Sequence, residues 1–405
     1  MNAASHGAGD SRPAMKKLTV LITNHSLRER TGTEMYAFDL ARGLLAAGHS
    51  PVLYSPRSGE LAERIRRETV PVVSDLDHLN LSPDIIHGQH ADETVTALMR
   101  FPSTPAIYVC QDWYLSIDAP PRFPRVLRCV AVDSQCRDKL VFEHGVPEDR
   151  ISVLLHFVDL EKFRPRAALP AKPRRALILC NHTKENAFLE AARAACKRAG
   201  VSLDVYGLGV GRHCDRPEEL LAEYDIVFAK GRTALEALAV GASVIVYWWR
   251  RLGPVVTAAE LEHLRRDNFG MRTMGPKSTP EEFGRDIEAA IARYDAEDAA
   301  LVSARVRAEA GREGLVAEFV DLYQSVIAEH AGRARDDEAE ARAAAAYLRS
   351  LSLSRSREYD VIYDSATFRM RERLLKLPVI GRIGRELARV IAATRRGTPP
   401  RKLAD

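Results

Sequence analysis

The chain has 405 residues, 46% of them hydrophobic and 28% charged, a globular composition whose length suits two domains with appendages. Its formal net charge of +4 is unevenly spread: residues 367–405 hold eleven Lys and Arg against three Asp and Glu, a net of +8, so the preceding residues carry −4. That balance excludes a basic nucleic-acid-binding body, and no run approaches the roughly 18 apolar residues of a membrane span.

Residues 1–15, rich in Ala, Gly and Ser and without the apolar core of a signal peptide, read as a disordered leader. Leu18 to Thr23 is an apolar run of the kind buried in a parallel sheet. Thr33 is placed to cap a helix from Glu34 to Ala47, ended by Gly48, and Pro51 to Ser55 is the next strand. Further strands are expected at 71–73, 84–87, 106–109, 129–133 and 151–155, with helices between most of them. Strands alternating with helices build a parallel sheet with right-handed crossovers.

Residues 164–175 hold three prolines and no apolar periodicity, the best linker in the chain. The same grammar then restarts: strand 176–180, helix 185–198, strands 202–206 and 225–229, a helix from about Thr233, and strand 243–247. The expected organisation is an N-terminal Rossmann-like domain over 16–165 and a C-terminal one over 176–330. Two such domains facing a cleft bind ligands at the C-terminal ends of their strands. Helices are expected at 280–294 and from 299 to about 327, followed by a charged helical tail over 331–405.

Six cysteines (Cys110, Cys129, Cys136, Cys180, Cys196, Cys214) form no CxxC pair and no Cys/His cluster at zinc spacing. They read as reduced, mostly buried thiols of a cytosolic protein. The chemistry concentrates in one turn. A strand ends near Ala229, and Lys230-Gly231-Arg232-Thr233 leads into a helix whose free N–H groups and partial positive charge suit an anion. Gly231 lets backbone approach closely, and two full charges are added. A departing nucleoside diphosphate, which gains negative charge as its bond to a sugar breaks, needs such surroundings.

Four segments in order carry a resemblance to a known family: Gly32-Thr-Glu-Met through Val52, Pro83-Asp-Ile-Ile-His-Gly-Gln-His90, Val153 through Pro165, and Tyr224 through Gly241. Together, across residues 17 to 250, they resemble glycosyltransferase family 4, whose fold is the two-Rossmann GT-B architecture. The resemblance implies an enzyme that moves a sugar from a nucleotide-sugar donor to an acceptor, in surface-glycan or glycoconjugate synthesis of the bacterial type, with retention at the sugar carbon. It implies that the Gly32-Thr33-Glu34 loop lines the acceptor side and that Glu236 holds the donor ribose hydroxyls. Lys184 stands where the family places its basic residues after the first strand of the second domain. The family's His-x-His pair becomes His87-Gly-Gln89-His90 here, with Gln89 at the second position. His90 and His87, at a strand end, are the catalytic candidates, able to orient the acceptor hydroxyl or take its proton.

A second departure is Phe228, where relatives carry the first of two glutamates eight positions apart. It keeps open a non-catalytic nucleotide- or glycan-binding alternative, and disfavours an epimerase, which needs several carboxylates in the cleft. Asp112 and Asp133 also stand at strand ends; Asp133 reads as a helix cap. Asp75-Leu-Asp77 has the spacing of a manganese-binding signature but the context of a loop, so no metal and no cofactor is expected. The protein is expected in the cytoplasm. Its basic segment 367–405, with apolar Ile380, Ile383, Leu387, Val390 and Ile391 on one helical face, is read as a possible contact with anionic membrane.

Overall fold

The computed structural model of the protein describes residues 16–364 and residue 370. The leader and, apart from residue 370, the basic segment 367–405 lie outside the described residues. Residues up to 336 form one compact unit, and helix α12 (Asp337–Asp364) belongs to a second. No described side chain of α12 is buried, as its Ala/Glu/Arg composition requires.

The first unit contains two sheets. Strands β1 (Thr19–Thr23), β2 (Ser50–Tyr54), β3 (Val72–Val73), β4 (Ile85–Gly88), β5 (Ala106–Cys110), β6 (Val126–Ala131) and β7 (Ile151–Val153) make a parallel sheet in the order β3-β2-β1-β4-β5-β6-β7. Its central strands are buried on both faces, so they read as continuous apolar runs. Helices α1 (Gly32–Ala46), α2 (Glu60–Arg67), α3 (Ala91–Arg100) and α4 (Ser134–Asp138) connect them. The cap of α1 is Thr31 rather than Thr33: the Thr31 N–H donates to Glu34 Oε2 at 2.9 Å, which starts the helix two residues earlier than the sequence suggests.

The second sheet is β12-β11-β10-β8-β9, built from β8 (Arg175–Leu179), β9 (Ser202–Tyr206), β10 (Ile226–Ala229), β11 (Ser243–Trp248) and β12 (Arg251–Val255). Only β12 runs antiparallel, and the sequence gives it no strand signal because Gly253 and Pro254 sit inside it. Around this sheet lie α5 (Ala187–Arg198), α6 (Pro217–Ala222), α7 (Gly231–Val240), α8 (Leu261–Arg266), α9 (Pro280–Ala292) and α10 (Ala296–Glu309). All six cysteines are free thiols, four of them buried.

The long helix expected from 299 to about 327 is two helices. It breaks at Ala310-Gly311, and α11 (Arg312–Ala331) leaves the second sheet to pack on α1, β5 and β6 of the first. The sequence assigns this span to the second domain, but Phe319 and Tyr323 are buried against the first. The approach is close at Gly43 of α1, where a β-carbon would stand 2.6 Å from Val316 Cγ2.

The chain therefore passes between domains twice, and the two passages touch. The Val158 N–H donates to the Ala310 carbonyl at 2.9 Å, and the Arg312 N–H to the Val158 carbonyl at 3.0 Å. Beside them Asp159, 1% exposed, accepts from Arg312 at 2.6 Å and Arg42 at 2.9 Å through Oδ2. Its Oδ1 accepts the N–H groups of Glu161 and Lys162. Asp159→Ala would take from buried Arg312 its one buried carboxylate, leaving it the exposed Glu313 and Glu161, and is expected to cost about 3 kcal/mol. Urea unfolding followed by circular dichroism measures it, and a loss below about 1 kcal/mol would show that the passages hold without this carboxylate.

Candidate active site

In each sheet the strand order reverses once, between β1 and β4 in the first and between β8 and β10 in the second. A parallel sheet opens a crevice at such a reversal, because the loops on either side leave in opposite directions. The two crevices face one cavity of about 1200 Å³. His25 after β1, His90 after β4, His182 after β8 and Lys230 after β10 all line it. A smaller cavity of about 510 Å³ lies beside it, walled by Cys180, Asn181, Leu208, Lys162 and Glu236. Gly32, Lys230, Arg232 and Thr233 line both.

Lys230 caps α7. Its Nζ lies 4.9 Å from the centre of the Trp248 ring, and no hydrogen bond or ion pair to it is found among the described residues. Burial lowers its pKa from the ordinary lysine value, so an anion at this point would restore the charge that burial disfavours. Gly231 follows with φ +56, a left-handed conformation that most side chains resist. A built β-carbon there would meet Asn268 at 3.7 Å, an ordinary contact, so crowding does not demand the glycine. The glycine suits the left-handed backbone that starts α7 at the cavity wall, which Lys230, Gly231, Arg232 and Thr233 all line.

Arg232 differs from the free cation expected. Its Nε donates to Glu236 Oε1 at 2.7 Å, one helical turn on, and its NH2 group donates to Asp39 Oδ2 of α1. Burial works against its charge, and the two carboxylates outweigh it. Arg232 is thus a neutralised strut between the domains, and Lys230 carries the unpaired charge. Glu236 is engaged through one oxygen while its side chain borders the smaller cavity. Thr233 lines both cavities from the first turn of α7.

The acceptor-side loop also reaches the cavity. Gly32 and Thr33 line it, and Glu34, which lines it too, gives a carboxylate oxygen to its own helix cap. Lys184 is exposed and outside all three cavities found among the described residues; the turn after β8 presents His182 instead, packed edge-on to Trp248 at 5.8 Å. Phe228 is buried within β10, edge-on to Tyr247 at 6.1 Å, so that position faces the core and not the cavity.

The two catalytic candidates separate. His87 is fully buried and does not line the cavity; its Nδ1 shares a 2.7 Å hydrogen bond with the Tyr323 hydroxyl of α11, and Phe319 packs on its ring. It is a core histidine. His90 does line the cavity, with φ +60 at the cap of α3. Its Nδ1 accepts the His25 N–H at 3.0 Å, which leaves the ring proton on Nε2. That nitrogen is a donor, 3.9 Å from Asp118 Oδ1, so His90 can orient a hydroxyl but is poorly placed to take its proton. Gln89 is turned inward, its Oε1 accepting from Gln111 Nε2 at 2.6 Å.

Asp112 receives the N–H groups of Tyr114 and Leu115, and Asp133 caps α4 as expected. Asp75 accepts the Asp77 N–H within an ordinary loop. Sequence reasoning missed His25, Asp118, Lys162 and Trp248. Asp118, raised to about 6 by burial, is held by the Gln111 N–H. Among the described residues, no three His, Cys, Asp or Glu side chains are gathered as a metal site requires, and no helix is long and apolar enough to cross a membrane.

Residues 30–162 match the model of Glycosyltransferase Family 4. A search of curated proteins returned no match. Among solved structures, HepE of Anabaena in complex with UDP and glucose superposes with a TM-score of 0.54 at 14% identity, covering 76% of this chain and 100% of that one. A glycosyltransferase from Rickettsia africae gives 0.53 at 14% identity, over 77% and 99% of the two chains. The catalytic domain of starch synthase IV from Arabidopsis thaliana, bound to ADP and acarbose, gives 0.50 at 11% identity, over 77% and 100%. At such identities the likeness establishes the fold, which is GT-B.

Burial depresses three histidines: His87 to about 3, and His90 and His156 to about 4. Below pH 6.5 the unfolded chain takes up these protons before the folded one does, so stability falls with pH, by about 1.4 kcal/mol per unit for each histidine. Asp118 works in the opposite sense below about 6. Urea midpoints are therefore expected to drop from pH 6.5 to 4.5, and His87→Gln to flatten that slope by about 1.4 kcal/mol per unit. An unchanged slope in the variant would mean that His87 titrates normally.

Proposed function

We propose that this protein transfers a sugar from a nucleotide-sugar donor to an acceptor hydroxyl, a reading supported by the match of residues 30–162 to Glycosyltransferase Family 4 and by the GT-B fold. The single observation that carries this reading is the Lys230 ammonium. It is drawn partly out of water, bound to no carboxylate, and set at the N-terminus of α7 where the two cavities meet. With Arg232 paired to Glu236 and Asp39, the Lys230 charge and the α7 N-terminus remain for a diphosphate.

The nucleoside would lie in the smaller cavity with its ribose toward Glu236, and the sugar in the larger one. HepE and starch synthase IV were each solved with a nucleoside diphosphate bound, which supports the same class of donor here. The leaving group's charge would be taken by Lys230 and the α7 N-terminus without a metal ion. Gly32 and Thr33 would close the acceptor side, with His90 Nε2–H donating to a sugar hydroxyl. A cytoplasmic enzyme of glycan assembly, touching anionic membrane through 367–405, is the setting that fits this chemistry and the tail's charge. The core position of Phe228, without a carboxylate, favours one second reading: a nucleotide binder without turnover.

A thermal-shift screen of nucleoside diphosphates tests the donor, since a ligand at one hundred times its Kd adds about 2.7 kcal/mol of stability. Lys230→Ala is expected to weaken diphosphate binding at least ~10-fold and leave nucleoside binding unchanged. Glu236→Gln is expected to weaken both. Equal affinity of the Lys230 variant for the diphosphate would remove the central observation. Turnover is expected to survive EDTA, and restoration by a divalent ion after loss would overturn the metal-free arrangement.

A further inference from the structure

The charged groups around the larger cavity are sorted by domain. Its carboxylates, Glu29, Glu34, Asp112 and Asp118, all come from the first. Glu34 holds a helix cap, Asp112 holds two N–H groups of its own loop, and Asp118 holds the Gln111 N–H. Arg28 and Arg57 stand on the same wall, so that side carries both signs. The wall given by the second domain has no carboxylate among the described residues, yet it carries Lys230, Arg232, Arg250, Arg251 and Lys277. Asp39 and Glu236 neutralise Arg232. The other four have no ion pair among the described residues.

Arg250 and Arg251 belong to the tight hairpin that joins β11 to β12, where Trp248 and Arg251 face each other across the strands. Trp249, at the first position of its turn, has φ +54, a left-handed conformation normally left to glycine. The Arg250 guanidinium is stacked 4.3 Å from the centre of the Trp249 ring and 5.1 Å from that of Phe188. Arg251 is half-buried. The indole Nε1 atoms of Trp248 and Trp249, both residues of the cavity wall, are buried without a partner. The hairpin's side chains here are all donors or cations, and its backbone is strained to carry them.

We propose that this hairpin reads a carboxylate on the transferred sugar, so that the donor is a nucleoside diphosphate uronate; this rests on the transferase reading above. Lys230 Nζ lies 4.9 Å from the centre of the Trp248 ring, so a sugar bonded to a diphosphate at Lys230 falls against the hairpin. The diphosphate brings two negative charges, about half of what the four cations could neutralise. A neutral hexose leaves the remainder repelling one another across the cleft. A sugar carboxylate offers Arg251 the two parallel hydrogen bonds that a guanidinium fork suits, with acceptors to spare for the indole N–H groups. Asp112, on the opposite wall, acts on Lys230 only through space and forms no bond to it. An anionic acceptor is disfavoured as the source of the carboxylate, because it would enter beside the first domain's own acids.

Matched donors that differ only at C6 provide the test. UDP-glucose is compared with UDP-glucuronate, UDP-galactose with UDP-galacturonate, and GDP-mannose with GDP-mannuronate. Each is titrated by calorimetry into the full chain at about 0.15 M salt, which screens loosely held surface charge. In at least one pair the uronate is expected to bind ~10-fold tighter or more than its neutral twin. Arg251→Met is expected to abolish that preference while affinity for the neutral donor stays within ~2-fold, which also shows that the variant is folded. Arg251→Lys, which keeps the charge but loses the fork, is expected to retain part of the preference. Equal affinities within every pair, in a protein that binds the nucleoside diphosphate, would overturn the carboxylate reading and leave the transferase reading standing. A preference undiminished in both Arg251 variants would overturn it as well. If no nucleoside diphosphate binds, the transferase reading falls first and takes the hairpin's role with it.

Discussion

Arg232 must be neutralised where it stands. Moving a guanidinium out of water costs several kcal/mol unless carboxylates replace the lost hydration, and here they come from two domains. Glu236 lies one turn along the same helix, but Asp39 belongs to α1, on the far side of the cleft. Swinging the domains apart would strip Asp39 of its partner and leave Arg232 with Glu236 alone. The ion triad thus biases the molecule toward the arrangement in which the starts of α1 and α7 lie together. Everything argued for the site needs that closeness, since the cavities are walled by residues of both helices.

With Arg232 neutralised, the cavity's electrostatics divide along its length. At the α7 end, positive charge meets a helix N-terminus with no compensating carboxylate within bonding distance of Lys230. At the β1/β4 end, histidines and carboxylates face each other: His25 with Glu93, His90 near Asp118. One end suits a group that departs with negative charge, and the other presents both signs. Contacts tie the domains outside the cavity as well. Arg30 reaches the Asp215 carbonyl, Ser134 donates to Asp267, and Arg272 pairs with Asp138 at 2.6 Å.

The alternation of strands and helices was legible because a strand covered on both faces must be apolar throughout. Leu18 to Thr23 and Ser243 to Tyr247 could hardly be anything else. The turn at Lys230-Gly231 was legible for a similar reason, since glycine between two cations at a strand end has few other uses. Partnership was not legible. Nothing in the string says that Arg232 is bonded to Asp39, or that His25 meets a glutamate 68 positions away. His87 was misread because a histidine at a strand end looks the same whether a cavity or another helix covers it. Lys184 was misread because the tight turn after β8 decides which of its residues points inward. Residues 299 to about 327 likewise read as one helix, without showing that it would break at Ala310-Gly311 or which sheet its second half would cover.

That last helix has a consequence for how the protein is made. All seven strands of the first sheet have been synthesised by residue 153, yet the helix that covers β5 and β6 begins at residue 312. While the ribosome extends the chain through the whole second domain, the first stands without α11 over β5 and β6, and His87 without Tyr323. A nascent chain in that state invites capture by chaperones, or mispairing with its neighbours. Final closure of the first domain waits on synthesis of the second, because α11 follows it in the chain, just past the passage at Ala310-Gly311 that bonds to Val158. Synthesis thus runs from one end of the chain to the other, but completion runs back.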